Sequence, residues 1–519
     1  MPIVPIGKPL GPGDVIEWDN YHKTGCSHLY RRDALRSGDA GRGREDIAAA
    51  ARDVRQWLLA AKAAGVPVRP VGGAWSPSNI QIVQHGWMLN TRRFNRCFRV
   101  AKQDLSEATG IAPEALMLVE AGVQIDEIND KLESDEMGRS LRSTGASNGQ
   151  TLAGACATAT HGSVLAAGGI QDHVRAIQIV TPGGVFWIEP AAGLMNGDFI
   201  AETGSTETLR DDEAFEAALV AVGSLGIVTA MVIETVPRFL VRPYLKLIDF
   251  SREDLEGLAR GDFLAFSRKH GLKEDEAGKA YGTPYFVMVV ANPHKPFGKA
   301  TVRFLYEEDW RAGREPEKDA DKLGQGYDSF SMLGWALRNF PWARGWLVQT
   351  IMKLAVGKGV TDPVYATWGE TTETHVPLAD IFTGALFCDR ADLVRAFETA
   401  CGAFTRAGGS TAATLRFMKG PHGLLSPARW DNSAGIDFDG PAGKETERAF
   451  MAVVAALDAE EIPFTRHWGK FNGLDAGRVE QDYGDDLVRW KGVRDRLLPD
   501  AADRNLFRAD DLDKVGLTL

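Results

Sequence analysis

At 519 residues the chain is too long for one hydrophobic core and is expected to fold as two or three domains. A formal net charge of −11 leaves no domain-wide basic surface, so nucleic acid is not an expected partner. The five cysteines are odd in number and lack CxxC spacing, so they predict neither a disulfide framework nor a metal cage.

Apolar residues at 44% and charged residues at 25% are ordinary for a globular protein. No apolar run reaches membrane-spanning length, and the first residues lack a basic segment followed by an apolar one. Reduced thiols in a cytoplasmic compartment are therefore expected.

In chain order, Ile47, Val54, Trp57, Leu58 and Ala61 recur at helical spacing and predict a helix over 45–64 that stops at Gly65. A short strand over 66–71 runs into GlyGlyAlaTrpSerProSer (72–78), a turn rich in free N–H groups and poor in side chain. Such a turn is suited to cradling phosphate. A strand at 116–121 and a helix at 123–132 lead to 143–163, where almost every side chain is Gly, Ala, Ser, Thr, Asn or Gln. That run has too little apolar bulk for a core strand and too many glycines for a helix interior. Its backbone N–H groups and short hydroxyls can approach a flat or phosphorylated ligand closely.

A hairpin is expected from 174–180 and 185–189 about the turn 181–184. GlySerLeuGlyIleValThr (223–229) then enters a strand that runs through 236. No GxGxxG falls at a strand-to-helix junction, so a Rossmann nucleotide site is not expected.

The second half changes character. Strands are expected at 244–250 and 285–292. Residues 329–360 contain no acid, and carry Trp335, Trp342 and Trp346 with Arg338, Arg344, Lys353 and Lys358, Pro341 dividing them into two helical pieces. They read as cap helices docked on the core, as an apolar substrate vestibule, or as an interfacial element touching a membrane. Strands at 385–388, 413–417 and 435–438 alternate with helices at 391–404 and 444–457. This is an α+β arrangement, an antiparallel sheet flanked by helices.

Read together, ValGlyGlyAlaTrpSerProSer (71–78), LeuAlaGlyAlaCysAlaThrAlaThrHisGlySer (152–163) and GlySerLeuGlyIleValThr are joined by C-terminal segments. These are LeuArgPhe (415–417), LeuSerProAla (425–428), HisTrpGlyLys (467–470) and ValArgAspArgLeuLeuProAsp (493–500). In this order and spacing the chain resembles the vanillyl-alcohol-oxidase class of flavoproteins, whose FAD domain was first described in p-cresol methylhydroxylase. Within that class it is similar to the branch of sugar-lactone oxidases and alditol oxidases. The likeness covers about 53–238 and resumes from about 373.

The resemblance implies a two-lobed FAD-binding domain over 1–240 and a substrate-binding cap domain over 241–475 carrying the insert. A C-terminal segment, 476–519, would return to the FAD domain. It implies FAD held by two loops, one formed by Val71, Gly72, Gly73, Ala74, Trp75, Ser76 and Pro77. The other contains Thr151, Gly154, Thr158, Ala159, Thr160, His161 and Gly162. Gly226 and Ile227 would sit against the adenine or ribose. No metal is implied.

Departures from the family carry their own expectations. Trp75 stands where this branch has the histidine bonded to the flavin, so FAD is expected to be non-covalent. Thr414-Leu415-Arg416 replaces Glu-x-Arg, and Ala146 replaces a substrate-touching serine. With a carboxylate gone, the substrate alcohol is expected to be larger or more apolar than a simple alditol.

The chemistry implied is oxidation of a CH–OH group by hydride transfer to flavin N5. Arg416 and Lys470 would offset the charge that develops, and Lys470 helped by His467 would take the hydroxyl proton. Thr414 and Trp468 would complete the substrate wall. Gly145, beside flavin C4a, leaves room for oxygen and favours an oxidase producing hydrogen peroxide. A dehydrogenase passing electrons to a quinone or cytochrome, a flavin reductase, and a catalytically silent flavin-binding protein are the rival readings.

Overall fold

The computed structural model describes residues 3–6, 14–35, 43–314, 344–356, 359–372 and 381–518. The helix Glu45–Ala64 forms where the periodicity predicts, burying Ile47, Val54, Trp57, Leu58 and Ala61 on one face. Gly65 ends it at φ 66°, its N–H returning to the carbonyls of Ala61 and Lys62.

Two sheets build the first lobe. The smaller runs Ile3–Pro5, Arg31–Leu35, Trp87–Asn90, Val68–Val71 in spatial order, its last three strands parallel. The larger runs Glu207–Arg210, Val185–Glu189, Val174–Val180, Ile227–Glu234, Leu116–Glu120, Cys97–Arg99. Its central hairpin pairs Val180 with Val185 and Ile177 with Ile188, the register expected for the turn between them. Tyr483, Trp490, Leu497 and Leu512, from the C-terminal helices, are buried in the same core as Val54, Ile177 and Met231. The chain therefore finishes inside the lobe in which it starts.

Among the described residues the second lobe is one antiparallel sheet of eight strands. Its longest pairing joins Leu240–Phe250 to Gly298–Glu308 over eleven residue pairs. The helices Leu393–Arg406 and Lys444–Ala459 pack Phe397, Phe404, Phe450 and Val453 against Ile436 and Phe438 of that sheet. The opposite face of those strands is turned toward the first lobe.

The small-residue stretch differs from the expected loop at one point. A six-residue helix, Leu152–Ala157, forms inside it. Thr151 caps that helix by accepting from the Gly154 N–H, and Leu152, Ala155 and Cys156 are buried, so packing on one side overrides poor helix propensity.

Of the expected insert, the helix Arg344–Val356 is described. Val348 and Met352 pack against Val290, while Trp346 is 68% exposed. Trp335, Arg338, Pro341, Trp342 and Lys358 lie outside the described residues. Among the described residues no helix is long and apolar enough to cross a membrane.

Candidate active site

A cavity of about 280 Å³ lies between the lobes. Three loops of the first lobe form one side: the turn after Val68–Val71, the stretch around Thr151–His161, and Ala221–Gly226. The other side is the open face of the cap sheet. Because side chains on a strand alternate, Ile381 and Thr383, Asp437 and Asp439, and Arg416 all point into the cavity from neighbouring strands. Their core-facing neighbours Leu415, Phe417, Ile436 and Phe438 fill the helix-covered side. His467, Gly469 and Lys470 close one end, just after the strand Thr465–Arg466.

The first-lobe loops approach backbone to backbone. A Cβ on Gly72 would lie 2.1 Å from Thr151 Oγ1, and one on Gly149 would lie 2.3 Å from the Trp75 ring. Only glycine leaves these N–H groups accessible at that distance. Trp75 is fixed between Gly149 and Tyr21, on which it stacks at 4.3 Å and 16°.

Several polar atoms on this side are buried without a partner among the described residues: His22 Nδ1, Gln81 Oε1 and Gln150 Oε1. Arg69 is buried on the same wall and bonds the carbonyls of Ile80, Val222 and Gly223. Burial pushes its guanidinium down to about 10, and no carboxylate among the described residues offsets its charge. A buried cation of this kind calls for an anion. A glycine cradle, unsatisfied polar atoms and an uncompensated guanidinium together fit a dinucleotide with a negative diphosphate.

On the cap side, Arg416 Nε donates to Asp437 Oδ2 at 2.6 Å, and Lys470 Nζ lies 3.1 Å from the same oxygen and 3.8 Å from Asp439 Oδ1. Burial would push the Asp437 carboxyl up, but Lys470, Arg416 and His161 outweigh it and hold it well below the usual carboxylate range. Asp437 stands directly opposite Thr414 in the strand register. The carboxylate absent from 414 is therefore supplied by the adjacent strand. Two carboxylates, Asp437 and Asp439, thus line the cavity although position 414 has none.

Two histidines meet here with ring centroids 5.4 Å apart. His467 Nδ1 accepts from the Gly469 N–H at 2.9 Å, which leaves the proton on Nε2 and makes the exposed edge a donor. The expectation that His467 assists proton removal fails on this geometry. Lys470 enters as an ammonium ion-paired to two carboxylates, and an ammonium has no lone pair to offer. His161 donates from Nδ1 to the Gly162 carbonyl at 3.1 Å.

Burial pushes His161 down to about 4, with Lys470 and Arg416 acting in the same direction against Asp437. This has a sign that can be checked. Between about pH 6.5 and pH 4 the unfolded chain takes the proton and the native site refuses it, so stability must fall as pH falls through that window. The loss should be roughly 3 kcal/mol for this group. A melting-temperature series from pH 7 to pH 4 should show it, and a His161→Gln variant should show less.

Of the residues singled out in the sequence, Val71, Gly72, Gly73, Ala74, Trp75, Ser76, Pro77, Gly145 and Ala146 line the cavity. So do Thr151, Gly154, Thr158, Thr160, His161, Gly226, Arg416, His467 and Lys470. Five do not. Ile227 points into the core while Val228 faces the cavity, and Ala159 likewise alternates with Thr158 and Thr160. A Cβ on Gly162 would lie 2.5 Å from the Thr144 carbonyl, away from the wall. Thr414 is buried beside Asp437, and Trp468 stacks on Tyr483 and donates to the Leu425 carbonyl. His22, Arg69, Gln81, Asp437 and Asp439 line the cavity and were not anticipated. The alternation Gly435, Asp437, Asp439 against Ile436 and Phe438 was the signal for the last two.

Residues 47–188 match the family described as FAD binding domain. This stretch is an FAD-binding domain. FAD is its cofactor, and the matched residues include both glycine loops. D-arabinono-1,4-lactone oxidase of Debaryomyces hansenii is 25% identical over 203 residues, 38% of this chain and 32% of that protein. The chain spans about a third of the length of the first such relatives it matches. L-gulono-1,4-lactone dehydrogenase of Mycobacterium tuberculosis is 24% identical over 84% of this chain and 88% of its own. Among solved structures, cholesterol oxidase from B. sterolicum has a TM-score of 0.66 at 12% identity, covering 99% of both chains. Xylooligosaccharide oxidase from Myceliophthora thermophila C1 has a TM-score of 0.60 at 14% identity, covering 94% of this chain and 92% of its own. Over nearly its whole length the chain thus shares one overall fold with these two proteins.

Proposed function

We propose that the protein is an FAD-dependent oxidoreductase that oxidises a CH–OH group, with oxygen as the electron acceptor and hydrogen peroxide as product. The observation that carries this reading is the Arg416–Asp437–Lys470 cluster, its arginine and aspartate buried, facing the FAD-binding domain across one cavity. Bound FAD would supply the hydride acceptor at N5. On this reading residues 1–240 and 476–519 hold the cofactor and 241–475 form the cap. The loops at 71–77 and 151–161 cradle FAD, Arg69 offsets its diphosphate, and Trp75, an indole, leaves it non-covalent. Arg416 and Lys470 hold fixed positive charge where negative charge arrives. Asp437 and Asp439 are acceptors on the wall, which favours a substrate carrying hydroxyls beyond the reacting one.

The test is a visible spectrum of the purified protein before and after acid precipitation, followed by anaerobic mixing with a panel of polyols, sugar lactones and larger alcohols. Yellow colour that leaves with the acid supernatant, and bleaches with at least one alcohol, is the expected result. A coloured protein that no alcohol bleaches would sink the reading.

A dehydrogenase is the second reading, favoured by the printed name of the Mycobacterium tuberculosis relative. Stopped-flow mixing of reduced protein with oxygen separates the two. Gly145 lines the cavity, and a Cβ there would lie 2.6 Å from Thr160 Cγ2. Gly145→Ala is therefore best paired with Thr160→Ser, which removes that methyl. In an oxidase the pair should slow reoxidation by oxygen at least about tenfold while leaving reduction by alcohol near its original rate.

A further inference from the structure

We infer that Asp437 is a catalytic residue: it accepts the hydroxyl proton of the substrate as the carbinol hydride leaves. This rests on the alcohol-oxidising reading above and adds to it the destination of the proton.

The two oxygens of Asp437 have different surroundings. Oδ2 is engaged by both Arg416 and Lys470. Oδ1 is buried and has no partner among the described residues, although the residue lines the cavity. A buried carboxylate oxygen without a donor is costly, and since it has no accessible surface the side chains over it must part for the hydroxyl of a bound alcohol to supply one. The other charged or titratable groups at this end do not compete well. Arg416 has no acceptor atom, and Lys470 is an ammonium held by Asp437 and Asp439. His467 presents a donor. His161 keeps one lone pair, on Nε2, and Asp439 is a second carboxylate on the cavity wall, so these two are the rival acceptors.

Two fixed cations do not disqualify the carboxylate as an acceptor. As the C–H bond breaks and its electron pair leaves the carbinol carbon for the hydride acceptor that bound FAD would supply, the remaining O–H becomes that of a protonated carbonyl. That group is acidic enough to give its proton to a carboxylate held in its charged form. The C–H and O–H bonds break, the C=O double bond forms, and the proton rests on Asp437 Oδ1. Neutralising Asp437 leaves the positive charge of Arg416 and Lys470 uncompensated just as negative charge departs from the substrate. The proton transfer thereby switches on the electrostatic stabilisation.

The experiment is anaerobic stopped-flow reduction of the FAD-loaded protein by the alcohol that bleaches it fastest, from pH 5 to pH 10. Wild type is compared with Asp437→Asn, Asp437→Glu and His161→Gln. Asp437→Asn should lower the limiting reduction rate by about 10²- to 10⁴-fold. Part of the rate should return at high pH, where substrate alkoxide needs no acceptor. Asp437→Glu keeps the charge that holds both cations, and should retain flavin content and more of the rate. The inference is overturned if Asp437→Asn raises only the apparent dissociation constant of the alcohol and leaves the limiting rate unchanged. It is also overturned if His161→Gln, or Asp439→Asn measured beside it, shows the rate loss and Asp437→Asn does not. If wild type is bleached by no alcohol, the function proposed above fails together with this step. Wild-type bleaching combined with an unaffected Asp437→Asn rate removes this step alone.

Discussion

Arg416→Met and Lys470→Met are each expected to slow flavin reduction by an alcohol about 10²- to 10³-fold, the cost typical of removing one preorganised charge stabiliser from a buried site. Both side chains reach the same oxygen of Asp437, at 2.6 and 3.1 Å, so their effects should not add. With one gone, the other still neutralises Asp437. With both gone, an unpaired carboxylate is left in the core, and the double variant should lose about 3–5 kcal/mol of stability. Anaerobic stopped-flow at the flavin band measures the single variants, and thermal melts measure the double. A single variant that reduces at the wild-type rate would show that the cluster is structural.

Arg69→Met should weaken FAD binding by at least about a hundredfold, because a buried cation near a diphosphate is worth more than one ordinary hydrogen bond. The guanidinium also ties the loop carrying Ile80 to the loop carrying Val222 and Gly223, so methionine removes both a charge and a strut. Arg69→Lys separates the two, keeping the charge while losing the fork that spans three carbonyls. Quenching of flavin fluorescence on titration into apoprotein provides the affinities. Equal losses in both variants would assign Arg69 to loop architecture, whereas a much milder loss in the lysine variant assigns it to the anion.

Much of the first lobe was legible because its signals are local. Helix 45–64 has both its apolar stripe and its terminating glycine in sequence, and the 174–189 hairpin has its turn between two runs rich in β-branched and aromatic residues. The strand Gly298–Glu308 was not legible, because Arg303 interrupts its apolar run. That arginine is buried, and its donor reaches the Thr371 carbonyl, a partner 68 residues away. The site followed the same division. Glycine loops announce themselves by composition, but Asp437 acquires meaning only when its strand is laid beside the one carrying Thr414 and Arg416. His467 could be recognised as a site residue, yet the Gly469 N–H that fixes its tautomer depends on how the next two residues turn. Arg69 reads in sequence as an ordinary charge inside ValArgProVal, and only burial without a counter-ion distinguishes it.

The last helices share a core with the first one, and Phe286, Trp368, Leu424 and Leu425 of the second lobe enter that same core. The two large sheets are thus sutured at several points along the chain: the Gly369 N–H reaches Glu133, and the Leu424 N–H reaches the Glu216 carbonyl. An exchange of the second sheet between relatives would have to carry its matching sutures with it. Truncating the final forty residues should open the shared core while the helices Leu393–Arg406 and Lys444–Ala459 keep their own sheet.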